Sequence, residues 1–186
     1  MPEIETARLH LRMLSPQDLD DFAAMFSDPE VMKFIGLEAG TTLSRAETED
    51  TLEKMIAFWT RTGVGRWAVI DKENRRLIGL CGLRQLDDTP ELFYLFAKAS
   101  WGKGFATEAA SAALRYGFEE HKFERIIAVI RPGNTISQKV VKKIGMRYEN
   151  EVNHDGVDGV CYVATRNEFE PTASTYVAYH RRREEV

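Results

Sequence analysis

Two glycines, Gly102 and Gly104, separate an apolar run from a helical pattern in the stretch Glu91–Thr107, ELFYLFAKASWGKGFAT. Glycine lets the backbone close on a ligand without side-chain clash. The first turn of a helix presents unpaired N–H groups at the positive end of its dipole. A glycine loop that opens into a helix is therefore suited to phosphate or diphosphate. A Walker A loop is ruled out, because Lys103 is followed by Gly104 rather than by Ser or Thr. A dinucleotide fingerprint fits poorly: Thr107 stands where a third glycine is needed, and the next strand ends at Arg131 rather than at an acidic residue. The same residues also read as a plain turn joining strand to helix. No serine sits in G-x-S-x-G. His10, His121, His154 and His180 share no ligand spacing with Cys81 and Cys161, so no metal is expected.

These residues need elements to position them. Leu92–Ala97 is an aromatic-rich run of strand length, and Ala106, Ala110, Ala113, Leu114 and Gly117 fall on one face of a helix over 106–121. Arg125–Ile130 is the next strand, and a strand–helix–strand crossover makes its two strands parallel neighbours. Upstream, Arg66–Asp71 and Leu77–Leu83 are joined by a turn at Lys72–Arg75. A second turn at Asp87–Pro90 feeds the central strand, which predicts an antiparallel meander. Leu9–Leu14 alternates like a half-buried strand. Ser15 and Pro16 then open a helix with a stripe of Leu19, Phe22, Ala23 and Phe26, which Asp28 and Pro29 end. After a loop at Gly36–Thr42, Ser44 and Glu47 have capping-box spacing ahead of Leu52, Met55, Ile56 and Trp59. Downstream, Asn134–Gly145 reads as a short helix capped by Asn134 or Thr135, with Ile136, Val140 and Ile144 on one face. Arg147–Val152 and Val160–Arg166 read as a hairpin across Asn153–Gly156. The division expected is one domain over 1–170 and a solvated, mixed-charge tail over 171–186.

Three motif blocks resemble the GNAT acetyltransferases. Trp101–Ala106 resembles their acyl-CoA loop, Gln/Arg-x-x-Gly-x-Gly/Ala, with Trp101 in the first place, then Gly104 and Ala106. TARLHLRMLSPQDLDDFAAMFSDPEVMKFIG and WGKGFATEA are similar to the branch that contains the ribosomal-protein N-terminal acetyltransferases. Asn134–Ser137 with Lys143–Met146 resembles the family's N-x-x-S…K-x-G-F segment, Met146 replacing the phenylalanine as a packing change. The likeness runs from about Thr6 to Phe169.

The resemblance implies an α/β GNAT fold: a mixed, mostly antiparallel twisted sheet, helices on both faces, and a central strand–loop–helix acyl-CoA site. It implies an acetyl-CoA-dependent N-acetyltransferase acting on a protein N-terminus or a small amine by direct attack. A non-catalytic acyl-CoA binding or sensing module is the alternative on the same scaffold. In the family the two parallel strands splay, and the pantetheine arm lies in the gap. Backbone groups of Tyr94, Leu95 and Phe96 would then meet that arm, Gly102, Lys103, Gly104, Phe105, Ala106 and Thr107 would hold the pyrophosphate, and Asn134 would bond the pantetheine. An unpaired amide at the splay would stabilise the thioester oxygen. Many members place a tyrosine four residues before the glycine to protonate the thiolate. That place is Val141 here, so Ser137 is the expected replacement, although a first-turn serine also commonly bonds nearby backbone. The amine must lose a proton, and Glu91 matches a frequent family glutamate. Glu91 also reads as a solvent-facing strand end, and a water chain is a further route. The early helices border the acceptor groove in the family; by periodicity alone they are core-facing helices.

Composition sets the remaining bounds. The chain has 186 residues, 44% hydrophobic and 29% charged, enough for one domain with a sizeable core. A net charge of −4 argues against nucleic-acid binding and weakly favours a basic substrate. Two distant cysteines inside expected strands suit a reducing compartment, and no stretch has the length of a signal core or a membrane span. A cytoplasmic protein is expected. Weak dimers are common in the family, which favours a homodimer.

Overall fold

The computed structural model describes residues 2–36, 38–86, 88–171 and 175–180. In chain order the elements are β1 (Pro2–Thr6), β2 (Leu9–Arg12), α1 (Leu19–Phe26), α2 (Pro29–Met32), α3 (Arg45–Thr62), β3 (Arg66–Asp71), β4 (Arg76–Leu86), β5 (Thr89–Phe96), α4 (Phe105–Glu119), β6 (Arg125–Ile130), α5 (Thr135–Lys143), β7 (Arg147–His154), β8 (Val157–Thr165) and β9 (Tyr176–His180). The strands form one sheet in the order β7-β8-β6-β5-β4-β3-β2-β1-β9. Every neighbouring pair is antiparallel except β5 with β6. That exception follows from the α4 crossover, since two parallel strands cannot be joined by a tight turn.

Side chains alternate across a strand, so each central strand serves both faces. Ala68, Leu80 and Leu95 face a layer made by Phe22, Met25 and Phe26 of α1 and Leu52 and Met55 of α3. Cys81, Leu83, Leu92 and Ile126 face the other way, towards Ala109, Ala110, Ala113 and Leu114 of α4. The alanines bring α4 close to the sheet. At Gly117 an added Cβ would lie 2.6 Å from the Ile126 Cδ1. The start of α3 is fixed by Ser44, whose Oγ accepts from the Glu47 N–H while the Glu47 carboxylate accepts from the Ser44 N–H.

Two strands lie outside the expected set. β1 is held by β2 and by the Trp67 indole, which donates to the Pro2 carbonyl at 3.1 Å. β9 pairs with β1, and the Tyr179 hydroxyl donates to the Glu3 carboxylate at 3.2 Å. Residues 176–180 thus extend the sheet edge rather than forming part of a solvated tail; the arginine and glutamate run of 181–185 lies outside the described residues. On α5 the buried face is Val141 and Ile144, with Val140 half-buried, whereas Ile136 is 70% exposed. Ile136 sits in the first turn of α5.

Gly82 lies at the centre of the sheet between Arg66 on β3 and Phe93 on β5. An added Cβ would sit 2.3 Å from the Gly65 carbonyl oxygen and 2.6 Å from the Arg66 Cα. Backbone cannot yield there as a flexible side-chain end would. Gly82→Ala should therefore destabilise the fold by about 1–3 kcal/mol, read as a lower denaturation midpoint at unchanged slope; an unaltered midpoint would mean that the β3–β4 crossing relaxes freely.

Candidate active site

The β5–β6 pair is joined in register at one point, Glu91 opposite Ile127. Beyond it the strands open into a wedge. β5 remains zipped to β4 as far as Phe96, and the Ala97 N–H donates to the Ile78 carbonyl. Counting back from Ala97 in twos, the backbone groups of Leu95, Phe93 and Glu91 point at β4. Those of Leu92, Tyr94 and Phe96 therefore point into the wedge. Of the three residues expected to offer backbone groups there, Tyr94 and Phe96 turn their backbone to the wedge and Leu95 turns its own to β4. The Phe96 carbonyl accepts from the Trp101 indole at 2.8 Å, which folds the loop back over the strand end.

That loop carries the unpaired amides. Gly102 and Gly104 hold φ of +75° and +80°, a region that costs other residues energy, and Gly104 is the N-cap of α4. The N–H groups of Gly102, Lys103, Gly104, Phe105, Ala106 and Thr107 find no acceptor among the described residues. One side chain that sequence reasoning missed braces the loop. The Arg8 guanidinium donates to the Lys103 carbonyl at 2.8 Å, pairs with Glu108 at 2.7 Å and lies 4.7 Å over the Phe105 ring. Burial pushes the Glu108 carboxyl up, but the Thr6 hydroxyl and the Arg8 amide and guanidinium outweigh it and hold it below the usual carboxylate range.

At the other end of the wedge lies a cavity of about 460 Å³, and Glu91, Tyr94, Leu95, Asn134 and Ser137 all line it. Trp101–Thr107 stand outside it, past the C-terminal end of β5. The Ser137 Oγ lies 2.6 Å from the Tyr94 hydroxyl, which also donates to the Ser137 carbonyl at 3.0 Å. Burial raises the Tyr94 phenol well above its ordinary value, with the Ser137 bond working against that rise. Tyr94 thus bears on Ser137 through its side chain, a contact that no local pattern announces. The Asn134 Oδ1 accepts from the Ser137 N–H at 3.1 Å and caps α5, leaving its amide NH₂ as the free end.

Glu91 is not a solvent-facing strand end. Its side chain is 1% exposed, ion-paired through Oε2 with the Arg84 directly across on β4, and the Val129 N–H approaches its Oε1 at 3.4 Å. It therefore sits at the apex of the wedge, spanning the point where β6 leaves β5. Beside it are two more residues absent from the sequence reading. Arg66 and Arg84 lie 5.1 and 5.0 Å from the centroid of one ring, Phe93. The signal was available: both arginines share the alternation face of Ala68 and Leu80, where a central strand ordinarily places apolar residues. Burial and then the Arg84 charge lower the Arg66 pKa to about 10, with Glu91 pulling the other way. α1, α2 and α3 supply the apolar wall through Phe26, Met32 and Met55, so these helices both pack the core and border the cavity.

Comparison with known proteins returns one family. A model described as an acetyltransferase (GNAT) domain matches residues 8–147. The N-acetyltransferase p20 of Bacillus licheniformis is 32% identical over 152 residues, covering 80% of this chain and 84% of p20. YdaF of Bacillus subtilis, whose name carries a ribosomal N-acetyltransferase assignment, is 27% identical over 172 residues, 86% of this chain and 92% of YdaF. Among solved structures, a GNAT-family acetyltransferase from Bacillus anthracis superimposes with a TM-score of 0.78 at 30% identity, over 89% of this chain and 99% of its own.

Proposed function

The chain belongs to the GNAT acetyltransferase family, and from that premise we propose that it acetylates a primary amine by direct attack in the cavity at the wedge apex. The single observation that carries this reading is the wedge itself. It has six amides without an acceptor among the described residues at one end and a buried carboxylate with a hydroxyl pair at the other. Acetyl-CoA supplies the activated acetyl thioester. The residues present suit it: the amides of 102–107 for its diphosphate, the inward backbone of Tyr94 and Phe96 and the Asn134 amide for its pantetheine arm.

Each remaining step belongs to a side chain or amide of the protein. Glu91 lines the cavity and takes on Oε1 the proton that the ammonium must lose, while Arg84 keeps the carboxylate fixed through the other oxygen. A wedge-facing N–H of β5 polarises the thioester carbonyl. Ser137 donates its hydroxyl proton to the departing thiolate. Tyr94 gives its one proton to the Ser137 carbonyl, so at rest the serine proton lies on the Tyr94 oxygen, and it turns to the thiolate as charge develops there. The acceptor is a small amine or the N-terminus of a protein, the latter being the assignment that YdaF carries.

The test is release of free thiol from acetyl-CoA across a panel of amines and N-terminal peptides. Binding of acetyl-CoA without release under any acceptor would leave only a binding module. Within the same assay, Ser137→Ala should lower kcat by about 10²-fold or more, at the weaker end of general-acid effects. Its acetyl-CoA affinity should stay within about twofold, since the Asn134 cap uses the Ser137 backbone and not its hydroxyl. Equal turnover in variant and parent would remove Ser137 from the mechanism.

A further inference from the structure

We propose that the acceptor carries a carboxylate beside its amine, and that Arg66, with Arg84, receives that carboxylate on the cavity floor. This rests on the acetyl-transfer reading above and narrows its substrate class.

The floor holds two guanidinium groups against one carboxylate. Arg84 is committed through Nε to Glu91. Arg66 is half-buried, has no carboxylate within ion-pairing distance and no hydrogen-bond acceptor among the described residues. Its contact is the face of Phe93, which it shares with Arg84. A ring face offsets part of a cation's desolvation but leaves every N–H unused. Two like charges over one half-buried ring repel each other, and the lowered Arg66 pKa is the same repulsion and burial seen from the proton's side. A ligand carboxylate would relieve both costs, because a guanidinium fork matches the two carboxylate oxygens.

The register makes the floor one surface. Arg66, Gly82 and Phe93 form one cross-strand row, and Arg84 and Glu91 form the next row on the same face. An amine presented to Glu91 thus lies a short molecular length from Arg66, so both charges belong to one small molecule or to the first residues of a peptide. The other acidic groups of the cavity, Asp155 in the β7–β8 turn and Asp158 at the start of β8, already have partners in His154 at 3.5 Å and Asn153 at 2.7 Å. Phe26, Met32 and Met55 form an apolar wall for the rest of the acceptor. The chain's net charge of −4 favours a basic substrate, but the floor has the opposite sign, and the nearer field decides.

The experiment is thiol release with three acceptors of matched apolar body: an amino acid such as phenylalanine, its carboxamide, and the decarboxylated amine. Short peptides with Asp, Ala or Lys in second place, and a diamine, complete the panel. The parent protein should prefer carboxylate over carboxamide by about tenfold or more in kcat/KM, the low end for a hydrogen bond to a charged group, and mainly through KM. Arg66→Gln should erase the preference while leaving turnover of the carboxamide within a few-fold. Arg66→Lys, which keeps the charge, should retain part of it. Preference for the free amino acid identifies a small-molecule source of the carboxylate; preference for the Asp peptide alone identifies an acidic N-terminus. Release that favours the carboxamide or the diamine, or an Arg66→Gln loss equal across the panel, overturns the carboxylate assignment and leaves acetyl transfer standing. No release with any acceptor, acetyl-CoA still binding, brings down both.

Discussion

Gly104→Glu is expected to weaken acetyl-CoA binding by more than about a hundredfold while the protein stays folded. The backbone at Gly104 has φ +80° and ψ 3°, so any side chain there costs about 1 kcal/mol in the left-handed region, far less than the stability of a domain. The larger effect is electrostatic. The new carboxylate would lie among the six amides that lack acceptors among the described residues and compete with the diphosphate for them. Arg8 Nη2, 3.4 Å from where a Cβ would sit, would pair with that carboxylate and hold it in place. Losing two charge-assisted hydrogen bonds at about 1.5–3 kcal/mol each accounts for the factor. Gly104→Ala isolates the strain: it introduces the Cβ without the charge and should cost only a few-fold in affinity. Calorimetric titration with acetyl-CoA, alongside circular dichroism, reads both. An affinity unchanged in Gly104→Glu would falsify the diphosphate assignment and place the ligand elsewhere.

Much of the scaffold was legible in the sequence, for a local reason. β3 and β6 have the bounds expected of them, because an apolar run of strand length between turn residues is a signal complete within itself. The capping box at Ser44 and Glu47 and the N-cap at Asn134 are likewise short-range chemistry. The α4 start differs by one residue, as helix ends ordinarily do. β1 and β9 were invisible because PEIET and YVAYH are held as strands largely through each other and, for β1, through Trp67, partners far away in sequence. The site shows the same division. The glycine loop stood out by type and place, and Glu91 and Ser137 through the family motifs that they resemble. The pairing of Ser137 with Tyr94, of Glu91 with Arg84, and the stacking of two arginines on Phe93 depend on register across four strands, which no window of sequence contains. The wedge apex belongs to this second kind: it is where a buried carboxylate takes an amide that the parallel ladder would otherwise have used.

Glu91→Gln should lower kcat by about 10²-fold or more with saturating acetyl-CoA, the range in which a positioned base acts. The change also breaks an ion pair, so structure and catalysis must be separated. A fully buried pair costs about 3–5 kcal/mol when one partner is removed. Here the carboxylate is buried but Arg84 is partly solvated, so the cost falls to roughly 1–2 kcal/mol once screening is allowed for. Two readouts divide the roles. The first is pH: the base matters only while the acceptor is an ammonium. As pH rises and the amine becomes free base in solution, the gap between parent and variant should close; a gap constant across pH would assign Glu91 to architecture alone. The second is the double variant Arg84→Met with Glu91→Gln. Removing both charges should recover stability lost by the single change, because no guanidinium is left facing an amide. Turnover should not recover with it, since the proton still has nowhere to go. If stability and turnover return together, the carboxylate serves to seat Arg84 and the wedge, and the amine passes its proton to water.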